Sequence, residues 1–207
     1  MRTSEINIVS NNFAKEQDQV LWIEMLSGNK IAFEAIYNQY FTALINYGFK
    51  ISKSENLTED AIQEVFINIW NKRSTLPEVK EVKFYLFRSL KNRLIRSLEN
   101  DIIQKSEDID TYLDFLISVS EEEKKIDSEN SERSIETLQK AISYLPIRQQ
   151  EVINLKYNHD FTLDEIARLM DVNKQSVSNL LFRSYATLRS ILKNIMIPIF
   201  ILKIFGL

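Results

Sequence analysis

The chain has 207 residues, 44% of them hydrophobic, with a formal net charge of −3, no cysteine, three glycines and three prolines. That length and apolar share suit one or two small domains with real cores, and so few glycines and prolines cannot turn a many-stranded sheet, so the expected fold class is all-α. The cysteine count excludes disulfides and thiolate metal sites, and the N-terminus "MRTSEINIVSNNF" lacks the apolar run and cleavage site of a secretory signal, so a cytoplasmic protein is expected.

A first helical block spans residues 14–98, with breaks at "SGNK" and near "KSENLT". In "LTEDAIQEVFINIWNKR" the residues Ile62, Val65, Phe66, Ile69 and Trp70 recur at helical spacing and form one buried stripe. The opposite face carries Asp60, Gln63, Glu64 and Asn71, which alone reads as solvated surface or as a polar docking face. In "VKFYLFRSLKNRLIRSL" Leu86, Leu90, Leu94 and Leu98 form the apolar stripe. Tyr85, Arg88, Asn92 and Arg96 line up on another, with Lys91 beside them. Aromatic, guanidinium and amide groups together suit a single nucleic-acid strand, whose bases need a flat partner and whose phosphates need neutralising.

Residues 99–134 form an acidic linker. Between Glu99 and Glu136 there are thirteen acidic residues against four basic ones, whereas Asn71–Leu98 has eight basic against two acidic and Val172–Lys193 has four basic and no acidic. Two basic segments therefore flank an acidic one, a distribution that the net charge conceals. Two readings of the linker stand. It is a mobile solvated tether, or "TYLDFLISVSEEEKK" docks through Leu113, Phe115, Leu116 and Ile117 with its glutamates near a basic face.

A second helical block spans residues 135–193. Within it "LDEIARLMDVNKQSVSNLLFRSY" reads as two helices joined by a tight turn. Thr162 and Glu165 have capping-box spacing, Asp171 stands where the turn needs a left-handed backbone, and Asn173 suits the next N-cap. Ile166, Ala167 and Met170 supply the inner face of the first helix, and Val172, Val177, Leu180 and Leu181 that of the second. The outer face of the second carries Lys174, Gln175, Ser178, Asn179, Phe182 and Arg183, side chains that can reach base edges and phosphates in a major groove. His159, the single histidine, has no clustered ligands and reads as a surface or packing residue. No glycine-rich phosphate loop and no catalytic constellation is present, so neither enzymatic activity nor a cofactor or metal is expected.

The tail, residues 194–207, ends in "IMIPIFILKIFGL". As a helix this run reaches only about 20 Å against the roughly 30 Å of a hydrocarbon core, and Lys203 interrupts it, so it does not span a membrane. It is either a last packed helix or a contact for a partner or a membrane surface.

Taken together, the three helical segments resemble an RNA polymerase sigma factor of the extracytoplasmic function (ECF) group. "EDAIQEVFINIW" resembles the family's polymerase-binding segment, and "FYLFRSLKNRLIRSL" its minus-ten recognition and melting helix. "LPIRQQEVINLKYNHDFTLDEIARLMDVNKQSVSNLLFRSYATLR" resembles its minus-thirty-five domain. Three positions depart from the family pattern: Asp171 replaces a usual glycine, Arg96 a common acid and Tyr85 a frequent tryptophan.

The resemblance implies a region 2-like domain over 14–98 and a region 4-like domain over 135–193. It implies a non-catalytic initiation factor that binds core RNA polymerase, directs it to promoter DNA as duplex and single strand, and helps open it. Asp60, Gln63, Glu64 and Asn71 would then face polymerase; Tyr85, Arg88, Lys91, Asn92 and Arg96 the minus-ten element; and Lys174, Gln175, Ser178, Asn179, Phe182 and Arg183 the minus-thirty-five element. An anti-sigma factor is an expected partner, and the free chain is expected to be a monomer or held by that partner. From the residues alone, two alternatives stand: a stand-alone helix-turn-helix regulator with an N-terminal sensing domain, and a helical interaction protein without a DNA function.

Overall fold

The computed structural model describes the backbone of residues 15–105 and 131–205 and the side chains of 15–99 and 137–192. Every regular element among the described residues is helical, as expected. The chain divides into two compact units, residues 1–109 and 110–207.

Unit one holds α1 (15–26), α2 (Lys30–Ser52), α3 (Glu55–Lys72) and α4 (Val82–Lys105). The breaks expected at "SGNK" and "KSENLT" are capped turns. Asn29 Oδ1 accepts from the Ile31 and Ala32 amides at 2.9 and 3.3 Å to start α2, and Lys53, at φ 56°, ends it. Ser54 Oγ then accepts from the Leu57 amide at 3.3 Å and starts α3. The core joins Trp22 and Met25 of α1, Ile36, Leu44 and Tyr47 of α2, Ile62, Val65, Phe66 and Ile69 of α3, and Leu86, Leu90, Leu94 and Leu98 of α4. Trp70 is half-buried, between the Phe33 ring at 5.1 Å and the Arg73 guanidinium at 4.4 Å. Asp18 is buried and accepts from the Tyr40 hydroxyl and from Gln39 Nε2 at 2.7 Å, which ties α1 to α2. Burial, then Asp18, pushes the Tyr40 phenol far above its ordinary range, so it stays a donor.

Helix α4 does not stop at Leu98 but runs on to Lys105, because residues 99–105 contain neither glycine nor proline. The segment "TYLDFLISV" lies outside the described residues.

Unit two holds α5 (Ser131–Ser143), α6 (Ile147–Ile153) leading into a π turn (Asn154–Asn158), α7 (Leu163–Leu169) and α8 (Lys174–Phe205). Its core includes Ala141, Leu145, Val152, Leu155, Phe161, Ile166, Leu169, Val177 and Leu181. Two expectations need correction. The second helix of the pair does not end with the block at Lys193: α8 continues without a break from Lys174 to Phe205 and takes up most of the run read as a separate tail. Nothing between Tyr185 and Leu192 caps or turns the chain, and continuation needs no special residue. Val172 and Leu180, assigned to the inner face, are only half-buried; Ser184, buried with its hydroxyl donating to the Leu180 carbonyl at 2.8 Å, shares that face instead. His159 is buried and serves packing. Among the described residues no helix is long and apolar enough to cross a membrane, and no cluster of acids and histidines could hold a metal.

Candidate nucleic-acid interface

The turn between α7 and α8 is built as its residues dictate. Thr162 Oγ1 accepts from the Glu165 amide at 3.3 Å while Glu165 Oε2 accepts from the Thr162 amide at 2.7 Å, so two amides at the start of α7 are satisfied reciprocally. Asp171 adopts φ 52°, the left-handed conformation that aspartate tolerates, and the Val172 amide closes the turn on the Ala167 carbonyl at 3.0 Å. Asn173 Oδ1 accepts from the Ser176 amide at 2.7 Å and starts α8.

The outer face of α8 is less uniform than its sequence. Gln175, Asn179, Phe182 and Arg183 are exposed, and Phe182, an apolar ring left 74% accessible, is the most exposed large hydrophobic side chain of α8 among its described residues. Gln175 Nε2 donates to Asn179 Oδ1 at 3.2 Å, which pre-orients two amides one turn apart. Lys174 is exposed but paired with Asp164 of α7 at 2.8 Å, and Ser178 is half-buried with its hydroxyl donating back to the Lys174 carbonyl at 3.2 Å. These two are positioned by their own helix pair before any ligand arrives.

In unit one the α4 stripe is partly supported from behind. Arg88, Asn92 and Arg96 are exposed, Lys91 and Tyr85 half-buried. The Tyr85 ring meets the Trp22 ring edge-on at 5.2 Å. Trp22 Nε1 donates to the Pro77 carbonyl at 3.2 Å and Gln19 Nε2 to the Lys80 carbonyl at 2.8 Å, so α1 holds both the loop before α4 and the first ring of the stripe. Sequence reasoning missed Gln19 and Trp22, which lie more than fifty positions from their partners.

Asp60, Gln63, Glu64 and Asn71 are all exposed on α3. They surround Ile67, which is 56% exposed and supplies an apolar centre that the sequence reading did not single out. Glu64 is not a bare acid. Arg93 of α4 grips it with two donors, Nε to Oε2 and Nη2 to Oε1 at 2.7 Å, and Arg93 Nη1 donates to Ser97 at 2.7 Å. The Arg93 hydrogen bond holds the Glu64 carboxyl below its usual range. Its stabilising contribution is therefore complete above the ordinary carboxylate pKa and is lost as pH falls through the lowered value.

The family profile described as "Sigma-70 region 2" matches residues 36–101, and that described as "Sigma-70, region 4" matches residues 135–188. The chain is also 25% identical, over 159 residues, to the ECF RNA polymerase sigma factor SigM of Bacillus subtilis, covering 76% of this chain and 93% of that protein. The chain belongs to the ECF group of RNA polymerase sigma factors. Two solved structures share its fold. CnrH, in complex with the cytosolic domain of CnrY, has 20% identity and a TM-score of 0.54, covering 86% of this sigma factor and 97% of CnrH. The Bartonella quintana sigma factor RpoE, in complex with the anti-sigma factor NepR, has 18% identity and a TM-score of 0.54, covering 78% and 96%. In this sigma factor the region 2 match contains the exposed faces of α3 and α4, and the region 4 match contains the turn and the described outer residues of α8 up to Arg183. Helix α1, with Gln19 and Trp22, lies outside both.

Proposed function

We propose that this sigma factor, a transcription initiation factor, docks on core RNA polymerase through Asp60, Gln63, Glu64 and Asn71 of α3. It reads the minus-thirty-five element with the outer face of α8, and engages the minus-ten strand with Tyr85, Arg88, Lys91, Asn92 and Arg96 of α4. The observation that carries this reading is the capped turn at Asp171, which presents Gln175, Asn179, Phe182 and Arg183 outward on a helix whose first five turns carry no acid. The domains are the region 2-like 14–98 and region 4-like 135–193, joined by the acidic linker. The protein works in the bacterial cytoplasm, without catalysis of its own, and an anti-sigma factor restrains it, as CnrH and RpoE are each found with such a partner or with a cytosolic domain.

The test is a comparison of free chain and reconstituted holoenzyme on promoter fragments selected from a genomic library. The holoenzyme should protect the fragments and render thymines near the start site reactive to permanganate; the free chain should do neither. Arg88→Ala with Asn92→Ala should leave protection intact and lower permanganate reactivity several-fold. Protection by the free chain alone would make it a stand-alone regulator, and equal reactivity would remove the α4 stripe from melting.

Glu64→Lys is a second expected loss. It removes a carboxylate from the docking face and sets an ammonium beside Arg93. Capture by limiting core polymerase should fall about tenfold, with slower association as the main cause. The fold should persist, because an exposed pair contributes little to stability. Competition for core as good as that of the unaltered chain would leave the α3 face as plain surface.

A further inference from the structure

Tyr157 lies in the last part of the π turn before α7, and Tyr185 lies on α8. Their hydroxyl oxygens are 2.5 Å apart and their rings meet edge-on with centroids at 6.5 Å. Both side chains are nonetheless exposed, at 58% and 42%. Water would satisfy two exposed hydroxyls as well as they satisfy each other, so the pair adds little to stability. What the contact does is fix two donor groups from separate elements at one point.

The place of that point follows from helical phase. At 100° per residue Tyr185 falls within about 20° of both Lys174 and Ser178, on the flank of α8 rather than at the centre of the face that holds Gln175, Asn179 and Arg183. A helix about 10 to 12 Å across fills a major groove about 12 Å wide. Its outer face then meets base edges, and its flanks meet the sugar-phosphate backbones that wall the groove. A flank residue of a reading helix is therefore next to phosphate.

We propose that the Tyr157 and Tyr185 hydroxyls form a phosphate contact for the duplex backbone alongside the minus-thirty-five element, resting on the reading of α8 as the helix in the groove. Each phenol carries one proton. In the pair one proton lies between the two oxygens and the other is left to donate to a phosphate oxygen, and the shared bond strengthens that donation. Partial burial, then the Tyr157 hydrogen bond, pushes the Tyr185 phenol up to about 12, so Tyr185 stays protonated in the working range. A neutral donor pair adds affinity without sequence preference and complements the basic side chains of the segment.

The test uses holoenzyme assembled from the full chain and promoter duplexes selected from a random pool, with single methylphosphonates placed along the minus-thirty-five element. Tyr157→Phe and Tyr185→Phe keep both rings and remove one hydroxyl each. The variant that deletes the donating hydroxyl should bind about fivefold to tenfold more weakly, the loss of one hydrogen bond to a charged group, and the other, which loses only the bridging bond, by a smaller factor. Base preferences should be unchanged, and the more weakly binding variant should become indifferent to neutralisation of one phosphate that matters to the unaltered protein. Unchanged affinity, or weaker binding with the full phosphate map retained, overturns the proposal. Asn179→Ala and Arg183→Ala run beside them separate the two levels. If these alter base selection while the tyrosine variants change nothing, only the phosphate contact falls; if they too leave selection unchanged, the reading of α8 falls and the contact with it.

Discussion

Gly48→Ala is expected to destabilise unit one by about 2 kcal/mol, although alanine is the better helix former. Gly48 lies inside α2, and a Cβ there would meet Thr58 Cγ2 at 2.5 Å, Leu90 Cδ2 at 3.2 Å and Leu94 Cδ1 at 3.2 Å. The leucine ends can shift slightly; the threonine methyl cannot. Thr58 is fully buried, with its hydroxyl 2.8 Å from the Ser54 carbonyl and 2.7 Å from Ser52 Oγ, so turning the methyl aside breaks two hydrogen bonds. Overpacking of this kind costs roughly 1 to 3 kcal/mol, and here the upper figure applies, against about 1 kcal/mol gained from helix propensity. A thermal midpoint lower by about 10 °C should report it. Thr58→Ser deletes the offending methyl and keeps the hydroxyl, so Gly48→Ala with Thr58→Ser should recover much of the loss. If Gly48→Ala melts with the unaltered protein, the close approach of α2 to α3 and α4 is wrong. That approach also brings Arg93 of α4 to Glu64 of α3, so the packing matters to the proposed docking face as well as to stability.

Features that depend on neighbouring residues were legible in the sequence. The capping box of Thr162 and Glu165, the left-handed Asp171, the Asn173 cap and the four-residue leucine repeat of α4 are each short-range patterns with one physical solution, and each stands in the structure. What a helix does at its ends was less legible. Continuation past Leu98 required only that no breaker intervene, whereas α8 runs on past Lys193 and through Pro198, a residue that from sequence alone points to a break; charge and hydropathy changes do not mark the helix ends.

Pairings between distant residues could not be read from one chain. Glu64 and Arg93 are 29 positions apart, and Tyr157 and Tyr185 are 28 apart, with no local pattern linking them. Their effect on the candidate sites is nevertheless direct, since Glu64 is expected at the polymerase face and Tyr185 flanks the proposed reading face. Periodicity placed Asp60, Gln63, Glu64 and Asn71 on the surface correctly but could not say that one of the carboxylates is already bound. The same holds for Lys174, which helical phase turns outward and Asp164 then claims. A face read from spacing gives direction; the partners come only from packing.

The double change Asn179→Ala, Arg183→Ala is expected to lower affinity of the holoenzyme for its minus-thirty-five promoters by about a hundredfold. Each side chain is exposed on α8, so neither truncation opens a cavity or leaves a buried charge, and the melting temperature should not move. Asn179 accepts from Gln175 through its oxygen and keeps its amide hydrogens for a base acceptor. Arg183, one turn further along, offers a fork of donors suited to a guanine edge or a phosphate. Loss of one such contact costs roughly 1 to 3 kcal/mol, and two in adjacent turns share part of that cost, so the pair should lose less than the sum. The single variants assign the roles. Arg183→Ala that weakens every promoter alike and flattens the salt dependence marks a phosphate contact, whereas a loss confined to some promoters marks a base. Selection of promoters from a random pool by the double variant provides the decisive measurement. Recovery of the same minus-thirty-five sequence at the same affinity would remove α8 from promoter reading, while recovery of minus-ten sequence alone would show that unit one still selects DNA after the outer face of α8 has been silenced.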